Sequence, residues 1–281
     1  MSKKENQILN KKLVRKGSLI GAFYFKKEMK NKLLMLLMSI GSIVSAQGIY
    51  HVNAVDGLTV RTSVSGKKIG KIPYGYQVKV LEKSDPLVIK DDGKSISGNW
   101  VKVDAKSTQI IIDPSFDESY DPQGVYVFDG YLTNQKDFIK QAENKIAKHP
   151  ALKDYYLATS YKVFAIKGDF FADGVEDDVF RLISPDGNVR IMAINNKKVG
   201  SDIYGLGGPK DPFGISDYDF DYFYKVPKNT PFWADRNGTK LMNQVSKNDI
   251  KTFTYDALYL NDLKNNGGYI YRYGKKWNIL K

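Results

Sequence analysis

Asp169, Asp173 and Asp177 stand four residues apart in Gly168-Asp-Phe-Phe-Ala-Asp-Gly-Val-Glu-Asp-Asp178. Carboxylates at positions 1, 5 and 9 of such a loop are ligands for a hard cation. Gly174, at position 6, permits the sharp turn that lets them converge. The Val175 carbonyl at position 7 adds an oxygen, so the spacing predicts a Ca²⁺ site of Asp169, Asp173, Val175 and Asp177. Phe171 stands at position 3, where Asp or Asn is usual, and Phe180 at position 12 supplies no bidentate glutamate. The loop is therefore not a sensor EF-hand. The other reading is an acidic turn whose Asp side chains bond their own backbone.

A second set of candidate residues is aromatic. Tyr74 and Tyr76 flank Gly75 in a Pro-Tyr-Gly-Tyr turn, and Trp100 opens the run Trp-Val-Lys-Val. Exposed together, the three rings would form a platform for a glycan or peptide. The turn favours that role for the tyrosines, whereas Trp100 reads better as a ring packed in a core. The chain has no Cys and only two His, His51 and His149. That removes a cysteine nucleophile, disulfides, a lipid-modified cysteine and most zinc hydrolase sites. A hydrolase using paired carboxylates stays open on composition, but nothing in the sequence marks a pair.

The elements that must position these residues are mainly strands. Gly57-Leu-Thr-Val-Arg61, Lys68-Ile-Gly-Lys-Ile72, Gln77-Val-Lys-Val-Leu81 and Gly98-Asn-Trp-Val-Lys-Val103 alternate or are rich in β-branched residues, with turns between. This spacing predicts a small β-barrel over residues 47–105. Asp113-Pro-Ser115 and Asp121-Pro-Gln-Gly124 mark a linker over 106–123, followed by a β-rich domain over 124–281. Its one clear helix runs from Gln135 to Lys148, with Asn134 as cap and Pro150 as stop. Strands are expected at Tyr161–Ile166, Val179–Ile183, Val189–Ile194 and Tyr269–Tyr273. Asp217-Tyr-Asp-Phe-Asp-Tyr-Phe-Tyr224 reads as a half-buried strand with an acidic face, or as a patch for a basic partner. Gly205-Leu-Gly-Gly-Pro209 reads as a turn.

The ordered set Gly57–Arg61, Ile69–Gly75, Val78–Leu81 and Asn99–Val103 resembles the bacterial SH3-like domain, with an insertion from Lys83 to Ser97. This resemblance implies an extracytoplasmic binding or targeting module, often associated with cell-wall material, and no catalysis. The loop residues Gly168, Asp169, Phe170, Asp173, Gly174, Asp177 and Asp178 resemble the calcium loops of FG-GAP and related repeats, which lead straight into a strand. More loosely, the second half resembles secreted proteins of Bacteroidetes carrying one such loop.

The N-terminal region predicts export. Lys30 and Lys32 precede an apolar run from Leu33 to Val44, and Val44-Ser-Ala46 has the small residues of a cleavage site. The run is too short to span a bilayer comfortably. Residues 29–46 read as a signal peptide and 1–28 as an over-extended start. The full chain of 281 residues carries 43 Lys and Arg against 31 Asp and Glu, a formal +12. Ten of those basic and two of those acidic residues lie in 1–46, so the remainder carries only +4. The basic excess therefore speaks for export and not for a nucleic-acid partner. Together these features predict an exported, periplasmic or extracellular, non-enzymatic protein that binds a cell-wall glycan or peptide or an envelope protein. The alternative is a carboxylate-dependent cell-wall or polysaccharide hydrolase.

Overall fold

A computed structural model describes residues 48–113, 115–116, 118–121, 124–198, 203–206, 222–233, 244–261, 267–273 and 276–280. The signal-peptide reading, the acidic stretch 217–221 and residues 207–209 lie outside them. Among the described residues, no helix is long and apolar enough to cross a membrane.

The fold is mainly β, with curled antiparallel sheets and one α-helix among the described residues. The first sheet holds β1 (Ile49–Val52), β2 (Leu58–Arg61), β3 (Lys68–Ile72), β4 (Gln77–Asp91), β5 (Lys94–Val103), β6 (Ile111–Ile112), β7 (Val125–Phe128) and β8 (Leu132–Asn134). Their order is β6-β3-β2-β7-β5-β4-β1-β8. Alternation drives the sheet: Leu58 and Val60 face inward from β2, Val78 and Val80 from β4, and Val101 and Val103 from β5, all buried. The insertion expected at Lys83–Ser97 is the outer part of the β4–β5 hairpin. Its two strands pair only with each other from Pro86 to Asn99 and turn at Asp92 and Gly93, both at positive φ.

The chain beyond residue 106 returns to this sheet. β7 lies between β2 and β5, pairing Trp100 with Phe128 and Val103 with Val125. Helix α1 (Gln135–Ile146) follows β8 directly, and the Asn134 side chain accepts the Asp137 N–H at 3.0 Å as its cap. Phe138, Ala142 and Ile146 form its buried stripe.

The second sheet holds β9 (Tyr156–Leu157), β10 (Ala165–Gly168), β11 (Asp177–Ile183), β12 (Val189–Ile194) and β13 (Ile203–Leu206). It runs β10-β11-β12-β13, with β9 also on β11. The turn expected at 205–209 thus begins in a strand, since Gly205 and Leu206 pair with Met192 and Ile191. The strand expected from Tyr161 begins only at Ala165. Ahead of it Val163 and Phe164 are core residues, and the Phe164 carbonyl accepts the Arg181 N–H. A third sheet orders β14 (Tyr222–Val226), β17 (Ala257–Asn261), β18 (Gly267–Tyr273) and β19 (Lys276–Leu280). β15 (Pro231–Trp233) pairs with β16 (Ile250–Thr252).

Residues Gly48–Lys281 form one compact unit. A single buried cluster joins Val52 and Val103 of the first sheet, Phe138 of α1, Phe180 of β11 and Phe223 of β14. His51 sits at the centre of that joint. Its ring stacks on Phe138 at 4.4 Å, meets Phe164 edge-on at 5.2 Å, and its Nδ1 lies 2.9 Å from the Gly75 carbonyl.

Candidate functional site

A cavity of about 240 Å³ opens where β3, β6, the turn after β1 and the end of β14 meet. Its apolar surface comes from Val55, Pro73, Tyr74, Ile111, Ile112 and Pro227. Its charged surface comes from Lys68, Lys71, Lys225, Asp56 and Asp113. The strands that shape it approach closely: a Cβ on Gly70 would stand 2.1 Å from the Ile111 carbonyl oxygen, so only glycine fits there. Ile111 and Ile112 are 40% and 41% exposed, and β6 ends its sheet with no further described strand beyond it.

The ammonium groups are spread around one rim. Lys68 donates to Asp113 at 2.6 Å. Lys225 donates to Asp56 at 2.8 Å and lies 3.8 Å from Asp256. Lys71 donates to the Asp56 backbone carbonyl at 3.0 Å. The Lys225 hydrogen bond and charge hold the Asp56 carboxyl below its usual range. The Lys68 and Ser115 hydrogen bonds do the same for Asp113. Both cavity carboxylates are thus kept ionised, and neither is prepared as a proton donor.

The three aromatic residues expected to share a platform are separated. Tyr74 and Tyr76 are only 7% and 4% exposed, which corrects the expectation of an exposed turn. The reason is the second half of the chain, which covers them. A Cβ on Gly75 would lie 1.9 Å from the Ala165 carbonyl oxygen, so the turn is pressed against β10. The Tyr74 ring lies 5.7 Å from Phe138 and under the Lys167 ammonium at 5.2 Å; it reaches the cavity only as part of the wall. The Tyr76 hydroxyl accepts the Phe223 N–H at 3.2 Å. Trp100 is half-buried on a different strand, edge-on to Phe128 at 6.2 Å.

The Asp-rich loop lies between β10 and β11. All six oxygens of its three carboxylates accept N–H groups. Asp169 takes the Asp173 and Gly174 amides at 2.9 and 3.2 Å. Asp173 takes the Val175 amide at 3.1 Å and the Asn195 side chain at 2.9 Å. Asp177 takes the Phe171 and Asn196 amides at 2.8 and 3.2 Å. Val175 is at the surface. Phe171 at position 3 turns inward, edge-on to Trp277 at 5.5 Å. Burial pushes the Asp177 carboxyl up to about 7, with the Asp173 and Asp169 charges adding to it and its two amide bonds opposing. Among the described residues, no three His, Cys, Asp or Glu side chains are gathered so as to hold a metal ion. Beside the loop, Lys145 of α1 grips both oxygens of the buried Asp178, and Asn196 donates to Asp178 at 2.7 Å.

The cavity escaped sequence reasoning because its walls come from four separate stretches, 55–57, 68–74, 111–113 and 225–227. The one local signal is the run Ile110-Ile111-Ile112 just ahead of Asp113-Pro114, three apolar residues in a polar stretch. No family model, curated protein or solved structure matches the chain.

Proposed function

We propose that this chain is an exported, non-enzymatic binding protein whose cavity between β3, β6 and β14 receives a glycan or peptide of the cell envelope. The observation that carries this reading is the cavity itself, an apolar floor rimmed by Lys68, Lys71 and Lys225. An apolar concavity with a few convergent polar groups is what small-ligand sites have in common. The resemblance of β2 to β5 to the SH3-like domain supports an envelope ligand. The features of residues 29–46 support export.

The hydrolase reading draws less support. It needs one carboxyl raised so that it can give up a proton, opposite a second that is ionised. Asp56 and Asp113 are both lowered. The raised Asp177 is fully buried and bonded to backbone amides, away from the cavity lining. For the Asp-rich loop we favour a self-bonded acidic turn over a Ca²⁺ site, because its six carboxylate oxygens already serve N–H donors.

The test is co-sedimentation of the full chain with isolated cell walls. Lys71→Met and Ile112→Asp should each lower retention, while Trp100→Phe should leave it unchanged. Equal retention of all four proteins overturns the cavity as the binding site. Wall hydrolysis by the wild type that Asp56→Asn abolishes overturns the non-enzymatic reading.

A further inference from the structure

The cavity already holds a carboxylate, and it is the chain's own. Asp56 sits on the turn between β1 and β2 with its side chain 82% exposed, so nothing packs it in place. Yet its carboxylate is the direct partner of Lys225, whose side chain is only 10% exposed. An ammonium so enclosed needs an anion. Asp256 lies farther away, at 3.8 Å, and its oxygens already accept the Asp169 and Lys228 amides at 2.9 and 3.0 Å. Lys71 reaches the same corner from β3, where it bonds the Asp56 main chain. Lys225 thus bonds the carboxylate, and Lys71 the main chain, of one solvent-facing residue, so that a carboxylate there has an ammonium from each of two strands in its neighbourhood.

The rest of the lining narrows the ligand. Among the described residues no Asn, Gln, Ser or Thr side chain lines the cavity, and the Tyr74 ring in its wall is buried and offers no open face. A sugar would find no stacking surface among these residues, and charged partners already engaged with one another or with the main chain. An extended peptide would find both things it requires: the edge of β6, which no further described strand covers, and exposed Ile111 and Ile112 to bury. Exchanging one carboxylate for another at Lys225 costs little electrostatically, so burial of the isoleucines supplies the net gain.

We propose that the cavity takes an acidic peptide laid along β6, whose carboxylate displaces that of Asp56 between Lys71 and Lys225. This rests on the cavity being the binding site, and it selects peptide over glycan there. Asp56 is then a resident stand-in that the ligand competes away.

Calorimetric titration of the full chain tests this with two probes, the acetylated and amidated hexapeptides Ala-Val-Thr-Val-Thr-Glu and Ala-Val-Thr-Val-Thr-Gln. The wild type should bind the Glu probe and bind the Gln probe about tenfold more weakly, the ratio expected for one charge-assisted bond. Lys71→Met should remove most of that preference. Asp56→Asn, on an exposed turn, should tighten the Glu probe by about tenfold and leave the Gln probe unchanged, with an intact thermal transition as the folding control. Equal binding of the two probes, binding of neither, or weaker Glu binding by Asp56→Asn overturns the proposal. Wall retention that Lys71→Met still lowers, with no binding of either peptide, would leave the cavity reading standing and refute the peptide alone.

Discussion

Lowering the pH probes the joint between the first sheet and the rest of the chain, because His51 lies there without solvent. Burial holds its imidazole below the usual range, and the Gly75 hydrogen bond opposes this only in part. The unfolded chain takes up a proton near the ordinary value of about 6.5, and the folded chain only at lower pH. Stability contributed by neutral His51 is therefore full above that value and falls as pH drops through it. Between about pH 7.5 and pH 5.5 the loss is at most roughly 1 kcal/mol per histidine, the limit for one kept neutral throughout. His149, the only other histidine, is also lowered by burial and adds a loss of the same sign. Asp177 works the other way. Its carboxyl is raised to about 7, so acidification relieves a buried charge. That restores about 2 kcal/mol over the same interval. The net change in the wild type is thus small, and only a difference between variants isolates His51. His51→Gln keeps a donor for the Gly75 carbonyl and removes the titration. Urea unfolding at both pH values should show the wild type losing more stability than His51→Gln on acidification, by up to roughly 1 kcal/mol. Equal losses would mean that His51 is charged or solvated in the folded protein, and the packing of α1 against β1 would be misdescribed.

Two glycines at nearly the same dihedral should behave differently. Gly75 and Gly174 have φ near +82° and +81°, but a Cβ on Gly75 meets the Ala165 carbonyl whereas one on Gly174 meets nothing within 4 Å. Gly174→Ala should cost roughly 1–2 kcal/mol, the left-handed backbone alone, and Gly75→Ala clearly more; similar thermal shifts would refute the close docking of that turn. Phe138→Ala should cost about 3–5 kcal/mol in urea unfolding, since it removes the ring that stacks on His51 and fills the core; a loss below about 1 kcal/mol would contradict the shared core. Millimolar Ca²⁺ should leave the thermal transition in place, because the loop's carboxylates are engaged with N–H groups. A rise of several degrees, lost in Asp173→Asn, would restore the metal reading.

What could be read from the sequence was local. Helix α1 announces itself through Asn134, the Phe138–Ala142–Ile146 stripe and Pro150, all within one short stretch. The strand expected at 189–194 is β12 to the residue, because Gly187 and Asn195 bound it. Strand β2 follows equally from its alternation, and β3 from its two isoleucines between turns. The failures were non-local. Tyr74 and Tyr76 looked exposed because a Pro-Tyr-Gly-Tyr turn is usually at the surface, yet the surface that covers them arrives with Phe138, Ala165 and Phe223. The place of β7 between β2 and β5 cannot be seen from spacing, since a polar stretch with two Asp-Pro turns precedes it. The Asp-rich loop is legible as the lead into β11, but two of its six carboxylate hydrogen bonds come from Asn195 and Asn196, just past the end of β12.

The central claim is that the envelope ligand occupies the cavity beside β6. Hydrogen–deuterium exchange of the full chain, free and bound to isolated cell walls, tests it most directly. Binding should slow exchange at Lys68–Ile72 and across residues 111–113, and leave the outer β4–β5 hairpin and β9, where Tyr156 is 69% exposed, unchanged. Slowed exchange confined to the hairpin or to Tyr156, with none at 111–113, would contradict the account.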